Sequence, residues 1–493
     1  MYPAFPVRHG RRLGSMFELH HLSAHEQWDW LRRGEVSPRE LVDHYLARIE
    51  RLDPQVRAFV AVTPEAARRR ADELTAGGRS AAPLWGLPLA DKDLYDRAGV
   101  PTRSGSRLSP STPAARDSDI AAVLSEAGAV SLGKTSTPEY GLTGYTEPLA
   151  GPVTRNPWGL GTGVELGAGG SSGGAAAAVA AGLLPFAPGS DGGGSIRIPA
   201  AATGLVGLKP SRGRVPAQSG LASLGGLSVG GPIARSVADA ALLLDAMVSP
   251  DGRPPRHDTA VRAPGAVDGA LLGAAVRGEG RYQLGVLTAS PWDDAYDVRV
   301  DPRLLSVLGD TVDLLATMGH GVDEATLPDS RYPELFRTLW QAGAAGIPAE
   351  TDDDFAALEP ITAWLVRRGR EVGARELGAT LAGLAEFERR VIRAFDRFDA
   401  VVTPSLALLP QPIGWYDADD PERSFEQQCL ASPFTSFVNV AGLPAITLPV
   451  AEVDGLPAGV QLIGRPGRED VLLSIGAQLE RRLRWQRRHP SVW

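Results

Sequence analysis

Cysteine is almost missing from this chain: Cys429 is the only one among 493 residues. An intramolecular disulfide is therefore impossible, and so is a zinc site built on cysteine ligands. A reducing cytoplasm suits such a sequence, and we expect the protein there. Histidine is sparse, with eight residues, none close in sequence to the serine-bearing turns described below. No apolar run is long enough to cross a bilayer, so no membrane span is expected. Residues 1–21 carry basic side chains without the apolar core of a secretory signal. Met16 offers a second start, and residues 1–22 read as an N-terminal extension. Positive charge is not in excess: 50 Lys+Arg face 58 Asp+Glu, a net −8 that speaks against a nucleic-acid surface. Internal repeats and linker-like stretches are missing as well. Residues 23–493 therefore read as a single domain, and 43% hydrophobic residues supply an ample core.

What the chain does have is the stretch 168–204, AGGSSGGAAAAVAAGLLPFAPGSDGGGSIRIPAAATG. It holds two glycine-rich turns, and each delivers a serine. The first is GGSSGG at 169–174, followed by an alanine run at 175–181 that reads as a helix stopped by Gly182. Ser171 or Ser172 then stands at a helix N-terminus, where serine is a favoured cap. The second is Asp191-Gly192-Gly193-Gly194-Ser195, running into a short helix at 196–202 with Pro199 early and Gly204 beyond its end. Glycine and serine in such numbers usually mean linker. An alanine helix apolar on every side is instead buried, and linkers do not enclose buried helices. Glycines ahead of a serine leave backbone N–H groups uncovered, which suits an oxyanion hole beside a nucleophile.

Around this stretch short apolar strands alternate with amphipathic helices. Helices are expected at 23–31, 37–52, 64–76, 237–247, 302–318 and through most of 332–398. Strands are expected at 58–62, 87–90, 129–132, 282–288, 321–325, 400–404, 443–450 and 458–464. That alternation predicts an α/β fold, a mixed central sheet with helices on both faces. The Gly-, Pro- and Arg-rich stretch 251–280 reads as a surface loop, and 432–442 as largely helical. The strand at 87–90 runs into Asp91-Lys92-Asp93. A lysine flanked by aspartates is more often a salt-bridged surface residue than a buried one. Gly128 to Thr135 fits the phosphate-loop pattern G-x-x-x-x-G-K-[ST], and Asp245 mimics the acid that partners such loops. A phosphate loop must follow a strand and open a helix. Here 129–132 is itself the strand, Pro138 stands where the helix would continue, and Asp245 lies inside helical periodicity, so the nucleotide reading is set aside.

Taken together, GGSSGG, Asp191, Gly193-Gly194-Ser195, the run Ser195-Ile196-Arg197-Ile198-Pro199-Ala200 and GLKPSRG at 207–213 resemble the signature of the amidase signature hydrolases. The resemblance covers most of 23–250 and 399–484. It implies the amidase signature fold, with a large mixed sheet flanked by helices on both faces. It implies Ser195 as nucleophile, Ser171 as a bridging serine after a cis peptide bond, and Lys92 as the base, a buried lysine whose pKa is depressed. Gly192, Gly193 and Gly194 would form the oxyanion hole, with Ser172, Asp191 and Arg197 in support. Tyr140, Gly141, Leu142 and Ile198 would touch substrate. Such chemistry requires no metal and no cofactor. The partner implied is a small-molecule amide, with ester or carbamate cleavage as a side activity, and a homodimer is left open.

The sequence departs from that pattern in places. Gly192 stands where threonine is more common, and Ala175 where serine often follows GGSSGG. The glycine-rich segment 159–167 suggests a mobile loop beside the pocket. Two subclasses compete: the glutaminase component of tRNA-dependent amidotransferases, which usually has glutamine where Ile198 stands, and stand-alone amidases of apolar, aryl or oligomeric amides. Ile198, with Tyr140, Leu142 and Trp158, favours the second, which includes 6-aminohexanoate cyclic dimer hydrolase and aryl acylamidases. Specificity is expected to reside in 332–430.

Overall fold

The computed structural model describes residues 18–215, 223–249 and 271–493. Eleven strands are formed there: β1 Phe59–Val62, β2 Pro88–Lys92, β3 Val130–Thr135, β4 Phe186–Asp191, β5 Val206–Lys209, β6 Val229–Ala234, β7 Gln283–Val286, β8 Gly321–Glu324, β9 Ala400–Pro404, β10 Ala445–Val453 and β11 Leu456–Gly464. Eight of them make a large mixed sheet in the order β4-β6-β5-β10-β11-β9-β7-β8. From β4 to β9 every pairing is antiparallel, while β9, β7 and β8 run parallel. A second sheet, β1-β3-β2, stands apart, with β2 and β3 parallel. The large mixed sheet flanked by helices is the architecture the alternation predicts; the separate small sheet, which carries Lys92 at its end, is an addition.

The small sheet and the serine turns meet through the helix Gly173–Ala180, buried along its whole length. Its small side chains, mostly glycine and alanine, let neighbours approach closely. Close approach is sharpest at Gly174, where a Cβ would lie 2.4 Å from the Ser136 nitrogen and 2.5 Å from the Ala58 oxygen. Only a residue without a side chain allows that contact. It draws the first serine turn on to the ends of β2 and β3. Ser172 occupies the helix N-cap, but its hydroxyl makes no cap bond. It is engaged by Lys92 instead, so the expected capping role gives way to the site.

Helix boundaries follow local signals closely. Ser37 forms a capping box with Glu40 at the head of Pro38–Val56, and the helix Pro64–Ala76 ends at Gly77. The first of these runs four residues past its expected end because Pro54 sits in the last turn, where its missing N–H breaks few bonds. The strand expected at 129–132 is found and runs on through the GKT segment as β3, in keeping with the nucleotide reading having been set aside. Gly133, Lys134 and Thr135 lie inside β3, so their backbone is committed to a ladder rather than a loop. Part of the stretch read as a surface loop is the helix Leu271–Arg277, packed by buried Leu271 and Ala275; residues 251–270 lie outside those described. Residues 18–22, assigned to the extension, are held by Arg235, which donates to the carbonyls of His20 and Leu22. Residues 1–17 lie outside the description. Among the described residues no helix is long and apolar enough to cross a membrane.

A helical layer packs against the sheet at Val401, Ala445 and Ile463. The helices Tyr332–Ala344, Ala374–Phe395 and Pro421–Ala431 enclose a second apolar cluster rich in aromatic rings, including Trp292, Phe336, Phe387 and Phe437. This layer forms the outer wall of the site.

Candidate active site

The chain has only three lysines, and all three are fully buried. Lys134 is paired with Asp93 at 2.8 Å and held by Thr102 at 3.0 Å, and it does not line the pocket. Lys209 meets the Pro210 carbonyl at 2.8 Å. Lys92, the last residue of β2, has no carboxylate partner within bonding distance among the described residues. Its Nζ instead reaches three hydroxyls: Ser171 Oγ at 2.7 Å, Ser172 Oγ at 2.9 Å and Ser190 Oγ at 3.0 Å. Burial disfavours its ammonium form and pulls its pKa down to about 7, against a smaller upward pull from Asp191. The buried lysine that the family resemblance implies is found, against the commoner surface pattern for a lysine between aspartates: β2 ends in the interior, with Asp91 and Asp93 turned to Arg97 and Lys134.

The two serine turns are laced together. The Ser172 N–H donates to the Ser195 carbonyl at 3.1 Å, and Thr137 Oγ1 donates to the Ser171 carbonyl at 3.0 Å. The Gly170–Ser171 peptide bond is cis. Ser171 and Ser195 are nearly enclosed, at 2% and 8% exposure, so what reaches them must come through the pocket. Gly141 borders Ser171: a Cβ on it would lie 3.3 Å from the Ser171 hydroxyl.

Asp191 shapes the second turn. Its carboxylate accepts the N–H of Gly194 at 2.7 Å and of Ile196 at 3.1 Å, and a fork of two bonds from Arg197 at 3.0 and 2.9 Å. Burial alone would raise its pKa, but the Arg197 guanidinium outweighs burial and holds the carboxyl well below the usual range. Arg197 is steadied in turn by Gln461 and Asn439, and the Asn439 amide also donates to Asp191. Gly194, at φ +137°, takes a conformation closed to other residues, and a Cβ there would in addition meet Thr435 Oγ1 at 2.5 Å. Its N–H belongs to Asp191, so Gly194 is corrected from oxyanion donor to a member of the turn's frame. Among the described residues no acceptor takes the N–H of Gly192 or Gly193.

A pocket opens over Ser195 and Gly193. Its apolar walls are Leu142, Ile198, Trp292, Phe336, Trp340 and Phe425. Thr143, Gln428, Ser432 and Ser436 add neutral polar groups, and Cys429 adds a thiol that burial keeps protonated. Among the described residues no Asp, Glu, Lys, Arg or His lines it. Of the expected substrate contacts, Leu142 and Ile198 are on the wall. Tyr140 packs instead on a small cluster around Ile361 and Leu365. The 159–167 segment is also absent from the lining; its Leu166 bridges to Pro412. Phe336, Trp340, Phe425, Gln428 and Cys429 come from 332–430, whereas Trp292 and the serines do not.

Sequence reasoning missed Ser190, Asn439 and Gln461. Ser190 directly precedes Asp191 and was within reach of a local reading; the others carry no motif. Among the described residues no histidine bonds to Ser171, Ser195 or Lys92. His20, His21, His44 and His489 gather with Trp493, and His320 stacks on Tyr282.

Comparison with known proteins follows the same outline. The Amidase family profile matches residues 40–473. AmiB2 of Mycobacterium tuberculosis, named as a candidate amidase, is 39% identical over 469 residues, covering 94% of this chain and 96% of its own. The glutamyl-tRNA(Gln) amidotransferase A-chain component of a Roseiflexus species is 34% identical, covering 96% of this chain and 99% of its own. The solved structure of 6-aminohexanoate cyclic dimer hydrolase with substrate superposes with a TM-score of 0.84 at 32% identity, covering 96% of this chain and all of that one.

Proposed function

The chain belongs to the amidase signature family and is an amide-hydrolysing enzyme, and from that premise we propose that it cleaves small, uncharged amides with Ser195 as nucleophile, Ser171 as proton bridge and Lys92 as base. One observation carries this reading: Lys92 Nζ lies 2.7 Å from Ser171 Oγ in an interior that pulls the lysine to about 7. A neutral amine at that position accepts a proton near neutrality.

In the proposed reaction Ser195 Oγ attacks the amide carbonyl. Its proton passes to Ser171 Oγ as the Ser171 proton passes to Lys92 Nζ. The N–H groups of Gly192 and Gly193 receive the developing oxyanion. The C–N bond then breaks as the relay runs backwards and protonates the departing amine, leaving an acyl ester on Ser195. Water, deprotonated through the same relay, cleaves the ester and restores the serine. No charged wall group competes for the leaving amine.

Glutaminase action remains the competing reading because an amidotransferase relative is similar over nearly its whole length. Free glutamine carries an α-ammonium and an α-carboxylate, and burying either unpaired is costly. The uncharged lining therefore favours apolar, aryl or oligomeric amides. A hydrolysis panel of anilides, benzamide, fatty amides, 6-aminohexanoate oligomers, carbamates, esters and glutamine tests this by release of ammonia or amine. Apolar amides are expected to turn over and glutamine to stay intact. Turnover of glutamine alone would reverse the assignment.

The pH dependence follows from Lys92. Only its neutral form can accept a proton, so kcat/KM should rise about tenfold per pH unit below about 7 and level off above it. With three lysines in the chain, a protein labelled at lysine Cε gives three resonances to titrate. Lys209 is also drawn down to about 7, by burial and then by Arg197, so Lys92→Ala identifies the relevant signal. A rate flat from about pH 5 to 8, or a Lys92 resonance titrating near the ordinary lysine value of about 10.4, would contradict the assignment.

A further inference from the structure

One wall of the pocket belongs to the helix Tyr332–Ala344. Phe336 and Trp340, one turn apart, stack with ring centroids 5.5 Å apart and planes 17° from parallel. Trp292 stands edge-on to Phe336, 5.7 Å away at 84°. These rings rest directly on the glycine turn. A Cβ on Gly192 would lie 3.6 Å from Trp340 Cη2 and Cζ3, and one on Gly193 would lie 3.5 Å from Phe336 Cζ. The six-membered edge of the indole therefore covers the turn at Gly192 and Gly193, whose N–H groups no described residue accepts.

That seat depends on Gly192. An alanine Cβ would make an ordinary contact with the indole, but the γ atoms of a larger residue would reach a further bond length into the ring. A branched side chain at 192 that turns a γ atom toward the ring would displace Trp340 from its present position. The flat indole also sets what fits beside it. A substrate carbonyl held at Gly192 and Gly193 places its nearest substituent against Trp340 and Phe336. Planar aryl rings stack there or meet Trp292 edge-on; a puckered aliphatic ring of the same size presents axial hydrogens and loses the face contact.

Resting on the amide-hydrolase reading above, we infer that Trp340, seated against Gly192, is the specificity-determining residue that selects amides bearing an uncharged aryl group next to the scissile bond.

The test compares matched pairs. Benzamide against cyclohexanecarboxamide probes an aryl group on the acyl side, and acetanilide against N-cyclohexylacetamide probes the amine side. The wild type should favour the aryl member of at least one pair by about three- to tenfold in kcat/KM, the span a single aromatic contact provides. Trp340→Leu should bring that ratio close to one, Trp340→Phe should keep part of it, and Gly192→Thr should lower it as Trp340→Leu does. In the double variant Gly192→Thr/Trp340→Leu the ratio should fall no further. The ratio is unmoved by a general loss of folding or of catalysis. Calorimetry on Ser195→Ala supplies a readout without turnover: it should bind the favoured aryl amide several-fold more tightly than its cyclohexyl partner, and Ser195→Ala/Trp340→Leu should not. A wild type that hydrolyses no amide would remove the function while leaving this binding comparison intact. Equal wild-type rates within both pairs, an unchanged ratio in Trp340→Leu, or equal or undetectable binding of both partners to Ser195→Ala would overturn the inference.

Discussion

Replacing Ser195 with alanine should lower amide turnover by roughly 10⁴-fold or more and leave the melting temperature nearly unchanged. The hydroxyl is the proposed nucleophile, and one methylene-borne oxygen contributes little to packing. Lys92→Met should be almost as damaging. It keeps the length and volume of the side chain in a fully buried position while removing the base that, alone among the described residues, contacts the serines. Ser171→Ala should cost roughly 10²- to 10³-fold, because a water molecule can occupy the place of the missing hydroxyl and pass a proton less efficiently. The three groups act as a unit, so the losses cannot add. Once Lys92 is gone, the proton has no destination, and deleting Ser171 as well should cost little more. Turnover of one amide across the three single variants and Lys92→Met/Ser171→Ala decides the matter. A near-normal rate in Lys92→Met, or a double loss equal to the product of the singles, would mean that the proton leaves Ser195 by another route.

How much of this was legible in the sequence depended on distance along the chain. The two glycine–serine turns could be read because their constraints are local: a bare Cα where backbones touch, and a serine at the head of a buried helix. Helix ends such as the Ser37 capping box and the Gly77 stop were legible for the same reason. Lys92 was not legible from its own surroundings. It lies 79 residues before Ser171, and flanking aspartates suggest a surface residue until the partners of those aspartates, Arg97 and Lys134, are known. Asn439 and Gln461 come from 242 and 264 residues beyond Arg197 and belong to no motif. The pocket walls are harder still, since an aromatic residue on an amphipathic helix reads as core. Trp340 is distinguished only by what it lies against. Gly194 illustrates the converse. Its glycine was legible, but the direction of its N–H was set by Asp191, which a one-dimensional reading placed nearby without an orientation.

Arg197→Met should destabilise the protein by about 3–5 kcal/mol, the usual cost of stranding a buried charge. Both partners are completely enclosed, and the fork from Arg197 is the main counterweight to the burial of Asp191. The sign of the pH dependence makes the prediction specific. In the wild type the Asp191 pKa is depressed below its unfolded value, so the pair contributes stability above that unfolded value, about 3.9, and loses it as pH falls through the folded pKa. Without the guanidinium, burial dominates and pushes the carboxyl above its ordinary value. The folded variant then binds the proton more tightly than the unfolded chain, and its stability should decline as pH rises above about 4. Other buried carboxyls, such as Glu359 and Glu480, are raised in both proteins, and their contributions cancel in the difference between the two curves. The melting-temperature gap between wild type and Arg197→Met should therefore already be open near pH 4, where the wild-type pair is still ionised, and should widen further toward pH 7 as the variant's raised carboxyl ionises. Adding Asp191→Asn to Arg197→Met should recover part of the loss at neutral pH, because no charge is then left unpaired, and it should flatten the gap. Arg197→Lys should rescue poorly, since one ammonium cannot bond both carboxylate oxygens, Gln461 and Asn439 at once. Turnover should fall in Arg197→Met by roughly 10²-fold even where the protein is folded, because Asp191 orients the Gly194 and Ile196 N–H groups that flank Ser195. A melting-temperature gap that stays constant from about pH 4 to 7, or that Asp191→Asn leaves unchanged, would show that Arg197 contributes packing rather than charge.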